Sequence, residues 1–363
     1  MKIVFDCRWH KKSGIGTFAD NTLKNMLKTE NEFLLLGFNS LPEEFSASLS
    51  EEDLKRIKCI NCDISAFSFK ELLFFPKTVS KVINQYDVYF SPYCNIPSGI
   101  KIPVFTTIHD VLFLDMPEIA GKAGTFIRKI FYKYAIFRSK AIFTVSEYSK
   151  QRIIYTLKCK KHIFVTYNGV PENYLKQDKI STPKTDSIIF IGNIKKHKGI
   201  QILIPAFKEF CKELSSKNLN TPKLIIVGSK DNFRTNDASI SSLIQSADEN
   251  DIEFTGFISD EELKKRLSQA KILIQPSFYE GFGLPPLQAL NCGTNTIVSD
   301  IEVFKEVYKN YPVTYFKTGD ISDLKEKMLD VWLENKPVPD FTEQYSFKNT
   351  CDSILNALEI YCA

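Results

Sequence analysis

No apolar run in this chain approaches the roughly 20 residues that a helix needs to span a bilayer, so length alone argues against a membrane-spanning helix. Charge of one sign is also missing. Lys+Arg 47 against Asp+Glu 43 leaves a formal net charge of +4, too balanced for a protein whose partner is nucleic acid. Cys59-Ile60-Asn61-Cys62 has no second Cys-x-x-Cys at zinc spacing and no histidine beside it, and reads as coincidence more readily than as a metal or redox site. The nine cysteines are scattered and odd in number, and the start at Met1-Lys2-Ile3-Val4-Phe5-Asp6 is strand-like, not signal-like. Reduced thiols in a cytoplasmic protein are therefore expected. A disordered chain and a small disulfide scaffold are both excluded by 44% hydrophobic and 25% charged residues.

What is present is an alternation of short apolar runs with helix-like segments over 363 residues, enough for two domains. In the first half the runs lie at 3–5, 33–36, 88–90, 104–108, 141–145 and 163–165. They are the signature of parallel strands buried on both faces, and so of a doubly wound α/β domain. A glycine loop, Ser13-Gly14-Ile15-Gly16-Thr17, follows the first run and precedes a helix-like stretch. Gly14 and Gly16 either let a phosphate or sugar approach the backbone or serve a tight turn. His109-Asp110 follows the run ending at Ile108, where such folds place ligands, although the two could equally form a structural pair. Ser146 reads as the N-cap of a helix.

Two stretches, 66–77 and 126–138, mix aromatic residues with cations. Each fits a packed helix with a solvated basic edge, or a surface resting on an anionic membrane. The polar stretch 173–186 marks a linker.

The second half restarts the alternation. Ile188-Ile189-Phe190-Ile191-Gly192 and Leu224-Ile225-Ile226-Val227-Gly228 are strands that end on glycine. The loop Asn193-Ile194-Lys195-Lys196-His197-Lys198-Gly199 offers cations just before a helix, as a diphosphate requires, or is simply a solvated basic loop. Phe257-Ile258-Ser259 leads into a helix capped by Ser259. After the strand Ile272-Leu273-Ile274-Gln275 comes Pro276-Ser277-Phe278-Tyr279-Glu280-Gly281-Phe282-Gly283-Leu284-Pro285, in which an acid precedes two glycines and a helix N-terminus. Taken alone, this is an anion-binding turn or an ordinary strand-to-helix turn. A strand at 294–300 and helices at 324–333 and 347–361 complete the pattern.

Together these blocks, with Cys292-Gly293, Ser299-Asp300 and, in the first half, Val145-Ser146-Glu147-Tyr148-Ser149 and Tyr167-Asn168-Gly169-Val170, resemble glycosyltransferase family 4 (group 1), in its bacterial mannosyltransferase-like branch. The resemblance spans nearly the whole chain and is most specific over 276–293. It implies a retaining GT-B enzyme with two Rossmann-like doubly wound domains facing across a cleft. The acceptor-side domain is 1–172 plus a C-terminal helix at about 346–363 that crosses back to it, and the donor domain is 187–345.

The same resemblance assigns Glu280 to the donor sugar and the amides around Gly281, Phe282, Gly283 and Leu284 to sugar and diphosphate. It gives Lys198, helped by His197, to the diphosphate, His109 to the transferred sugar, and Asp110 to the acceptor side. Gly14 and Gly16 would close over the phosphates, with Asn193, Gly228, Ile258 and Gln288 also on the nucleotide side. Two positions depart from the family pattern: Gln288 stands where a ribose-binding Glu is usual, and Asn193 where many members have Arg. An amide still bonds two hydroxyls but accepts less strongly than a carboxylate.

The implied reaction moves a hexose, mannose from GDP-mannose by preference, to a hydroxyl of a lipid-linked or oligosaccharide acceptor in bacterial surface polysaccharide synthesis, such as capsule or lipopolysaccharide. A UDP- or dTDP-sugar donor is the near alternative. No permanently bound cofactor is expected and no metal, in keeping with the lack of Asp-x-Asp after a strand. Two other readings compete. A non-catalytic sugar-nucleotide-binding or assembly protein is motivated by Gln288 and Asn193, and a phosphorylase-like GT-B enzyme would need a pyridoxal phosphate lysine. The expected location is cytoplasmic, with peripheral contact to the inner membrane face through 66–77 and 126–138.

Overall fold

The run after Met1 is a strand, β1 (Lys2–Asp6), buried from Ile3 onward. It is followed by β2 (Glu32–Leu36), β3 (Ile57–Ile60), β4 (Val88–Ser91), β5 (Val104–Thr107), β6 (Ala141–Thr144) and β7 (Ile163–Val165). The computed structural model describes residues 1–175, 182–228 and 251–362. These seven strands pair in parallel in the order β3-β2-β1-β4-β5-β6-β7. Parallel strands need crossovers, so helices cover both faces and the central strands lack a polar side.

Met1–Pro171 and the stretch from Tyr345 form one compact unit, and Glu172–Gln344 forms the other. The C-terminal helix Phe347–Cys362 is part of the first unit. Val170 bridges Ser346 in parallel, Thr350 Oγ1 donates to Tyr167 O at 2.6 Å, and the Phe18 and Phe347 rings lie 6.5 Å apart. Gly169 permits this approach, because a Cβ there would lie 1.9 Å from Phe347 N.

The second unit contains β8 (Ser187–Ile191), β9 (Lys223–Val227), β10 (Ile252–Gly256), β11 (Ile272–Gln275), β12 (Asn295–Ser299) and β13 (Val313–Phe316). The sheet is parallel in the order β10-β9-β8-β11-β12-β13. Helix Ile200–Ser216 packs one face together with helix Ile321–Glu334, and the Phe210 and Trp332 rings meet edge-on at 5.9 Å. In each sheet the chain reverses its direction of travel once, between β1 and β4 and between β8 and β11. Crevices at such reversals, beyond the carboxyl ends of the strands, are where open α/β sheets bind ligands.

One reading changes. The glycine segment is not a loop: the helix Ser13–Met26 already includes both Gly14 and Gly16. Strands β3 and β13 and the helix Glu302–Val307 carry no distinct sequence signal. Of the linker expected at 173–186, residues 176–181 lie outside the described residues.

Candidate functional site

In the second unit the loops after β8 and β11 flank the sheet's reversal point, and backbone contacts lock them together. Phe278 N donates to His197 O at 2.8 Å. Gly199 sits at φ +77° with Pro276 O against it, and a Cβ there would come within 1.8 Å of that oxygen. Only glycine satisfies both conditions. The loops therefore hold Lys198 and Glu280 face to face: Lys198 Nζ lies 2.7 Å from Oε1 and 2.8 Å from Oε2 of Glu280.

Glu280 is only 9% exposed, and its carboxylate is held from behind. Ser277 Oγ donates to Oε1 at 2.8 Å, and Gln275 Nε2 reaches Ser277 Oγ at 3.1 Å and Oε1 at 3.4 Å. Ser299, at the end of β12, donates its hydroxyl to Ser277 O and fixes that turn in place. Sequence reasoning gave no role to Gln275, Ser277 or Ser299. Their polar character at the carboxyl ends of buried strands was the available signal.

Past Glu280 the backbone turns at Gly283, φ +87°, the N-cap of helix Leu284–Asn291. A Cβ on Gly283 would lie 2.4 Å from Phe304 Cε1, and Tyr308 donates its hydroxyl to Gly283 O. Pro285 and Pro286 occupy the positions after Leu284 and carry no N–H. The helix start thus offers an anion the amides of Gly283 and Leu284 and no others from its first turn. Gln288 lies one turn further on and is buried.

The remaining nucleotide-side positions spread around this crevice. Asn193 is exposed and Ile258 half-buried, beside Phe257, which is 77% exposed. Gly228 closes the strand ends: its N–H donates to Gly256 O at 3.1 Å, and a Cβ would clash with Gly192 O at 2.3 Å. His197 does not add a cation. Burial, with Lys198 and Lys195 nearby, pushes its pKa down to about 3, and its Nδ1 is buried without a hydrogen-bond partner. The expected charge on the loop therefore rests on lysine alone.

In the first unit, the helix beginning at Ser13 has neither a side-chain cap at Lys12 nor an acid in its first turn, and Gly14 is exposed at that end. Gly16 is buried, and a Cβ there would lie 2.7 Å from Trp9 O. Lys11 and Ser13 take left-handed φ values of 54° and 60°, each costing about 1 kcal/mol for a residue with a side chain. Their turn is anchored by a buried network. Arg8 grips Asp6 through Nε at 2.8 Å and Nη2 at 2.6 Å and also reaches Glu71. Asn95 Nδ2 donates to both Asp6 and Glu71, at 2.8 and 3.1 Å, while Trp9 Nε1 donates to Asn95 Oδ1 at 2.8 Å. Burial works against ionised Asp6, but Arg8 outweighs it and holds the carboxyl below its usual range; for Glu71, burial prevails and the pKa is raised.

His109 and Asp110 follow β5, each with a backbone partner: His109 Nε2 bonds Pro92 O at 2.8 Å, and Asp110 Oδ1 accepts from Leu112 N at 3.0 Å. Burial lowers the His109 pKa to about 4. A neutral ring that gives its Nε2 proton to a carbonyl presents Nδ1 as an acceptor. Phe18 packs edge-on at 4.8 Å to fix its orientation. Among the described residues no group of three His, Cys, Asp or Glu side chains is placed to hold a metal ion.

Comparison with known proteins bears on the family and the fold. The family profile described as Glycosyltransferase Family 4 matches residues 13–174, and that of Glycosyl transferases group 1 matches 173–347. The O-antigen chain mannosyltransferase RfbU of Salmonella typhimurium is 31% identical over 56% of this chain, but the chain spans only 54% of that relative's length. The O-antigen chain mannosyltransferase B of Escherichia coli is 24% identical over 75% of this chain and 74% of its own. Among solved structures, HepE of Anabaena in complex with UDP and glucose superposes with a TM-score of 0.67 at 15% identity, covering 99% of this chain and 100% of that one. Sucrose-phosphate synthase of Thermosynechococcus elongatus gives 0.66 at 13% identity, covering 99% and 97%. The two profile matches together run from residue 13 to residue 347, and the chain belongs to the group 1, family 4 glycosyltransferases of the GT-B fold.

Proposed function

We propose that this glycosyltransferase moves mannose from GDP-mannose, with retention at the anomeric carbon and without a metal, to a hydroxyl of a lipid-linked or oligosaccharide acceptor in bacterial surface polysaccharide synthesis. The observation that carries this reading is the Lys198–Glu280 pair at the reversal point of the second sheet, next to the Gly283 and Leu284 amides. The names of the relatives from Salmonella and Escherichia coli favour mannose. The UDP in the HepE structure supports a second reading, a UDP-sugar donor on the same site.

Lys198 and Glu280 pair with each other. A nucleotide sugar offers each a new partner: sugar hydroxyls for the carboxylate and diphosphate oxygens for the ammonium. Departure of the diphosphate is the barrier, and Lys198 with the Gly283 and Leu284 amides stabilises the charge that grows there. The leaving phosphate takes the acceptor proton on the same face of the sugar. Glu280 positions the sugar and need not become a nucleophile. Transfer is tested with a panel of GDP-, UDP- and dTDP-sugars. Glu280→Ala is expected to lower kcat/KM by about a hundredfold or more, while an unchanged rate removes Glu280 from the site.

A further inference from the structure

The two aromatic and basic stretches of the first unit prove to be neighbours, and the structure sorts their side chains. Phe75, Phe131 and Tyr132 are core residues. Phe67 and Phe69 lean on Phe131, with ring centroids at 4.2 and 5.7 Å, so the short helix Phe69–Leu73 lies beside the helix Gly121–Arg138. Outward from this seam point Phe69, Leu73, Phe74, Phe126, Ile130 and Phe137, with exposures of 52, 67, 73, 65, 41 and 76%. Large apolar side chains this exposed, gathered in one place, mark a contact surface.

Within the two segments the exposed charges have one sign. Helix Gly121–Arg138 contains no acidic residue, and its exposed face carries Lys122, Lys129 and Lys133 between Phe126, Ile130 and Phe137. From the other segment Lys70 and Lys77 are exposed. The acid between them, Glu71, is turned inward: it accepts from Arg8 and from Phe67 N and is fully buried. That inward anchor also sets the short helix firmly against the sheet. Among the described residues none of these five lysines lies within ion-pair distance of a carboxylate.

We propose that this face docks on an anionic lipid bilayer, with the phenylalanines entering the boundary between headgroups and acyl chains and the lysine ammonium groups meeting lipid phosphates. Charge complementarity selects this occupant. A second copy in a two-fold dimer would bring the same lysines against themselves. The buried centre of a protein interface is typically depleted of lysine. A bilayer surface takes both features, because lysine stems lie along apolar surface while their heads reach the phosphates. Among the described residues no helix is long and apolar enough to cross a membrane, which fits a face that rests on one.

The test needs neither donor nor acceptor and so stands apart from the transfer reading. The full chain is sedimented with vesicles of phosphatidylcholine containing phosphatidylglycerol, and with vesicles of phosphatidylcholine alone, at low and high salt. The expected result is binding to the anionic vesicles at low salt that salt weakens. Lys129→Glu/Lys133→Glu, and separately Phe74→Ser/Phe126→Ser, weaken it by at least about tenfold with an unchanged melting temperature. Absence of binding to anionic vesicles, or variants that bind like the wild type, overturns the proposal. So does a dimer in light scattering that the phenylalanine variants dissociate, since the face would then belong to a second copy.

Discussion

Taken residue by residue, each unit by itself buries a histidine and so favours its neutral form. His109 is neutral, with burial lowering its pKa from 6.5 to about 4, and His197 is neutral for the same reason. A base whose pKa is depressed by folding stabilises the native state fully above its unfolded value and loses that contribution as pH falls toward its folded one. Between pH 7 and pH 5 the unfolded chain takes up a proton at His109 that the folded chain refuses. Stability should fall by up to about 2 kcal/mol from this residue alone. Denaturant midpoints measured at both pH values should separate more for the wild type than for His109→Gln, whose side chain does not titrate. Equal separations would show that His109 is not buried as a neutral group. Glu280 is held in position by hydrogen bonds from Ser277 and Gln275 at its back and from Lys198 in front.

Among the elements, the loop pair after β8 and β11 matters most, because it brings together residues far apart in the chain. Its hinge is Gly199, where a positive φ and the closeness of Pro276 O coincide. Gly199→Ala should destabilise the second unit by more than about 2 kcal/mol and abolish turnover, because the loop must move away from Pro276 and take Lys198 with it. A variant with wild-type denaturation midpoint and rate would contradict this. The same loops show what the sequence makes legible. Glu280, its glycines and Lys198 stand in contiguous motifs and could be read. Ser277 and Gln275 act through side-chain geometry at a strand end, which spacing does not encode. The central strands are continuous apolar runs and were legible for that reason. Strands β3 and β13, outermost in their sheets and only half-buried, lack such a run. The glycines at 14 and 16 read as a loop because glycine is a poor helix former, yet the helix Ser13–Met26 already includes them.

For the whole molecule, two parallel sheets each carry candidate site residues just beyond their carboxyl ends, and the relatives' names give the sugar class to be tried first. The division of labour proposed for Lys198 and Glu280 can be measured without knowing the acceptor, by calorimetric titration of GDP and GDP-mannose into the full chain. Lys198→Ala should weaken both ligands by about tenfold or more, since both carry the diphosphate. Glu280→Gln should leave GDP binding unchanged and remove the extra affinity that mannose confers. If both variants bind both ligands as the wild type does, the pair at the end of β8 and β11 is not a donor site.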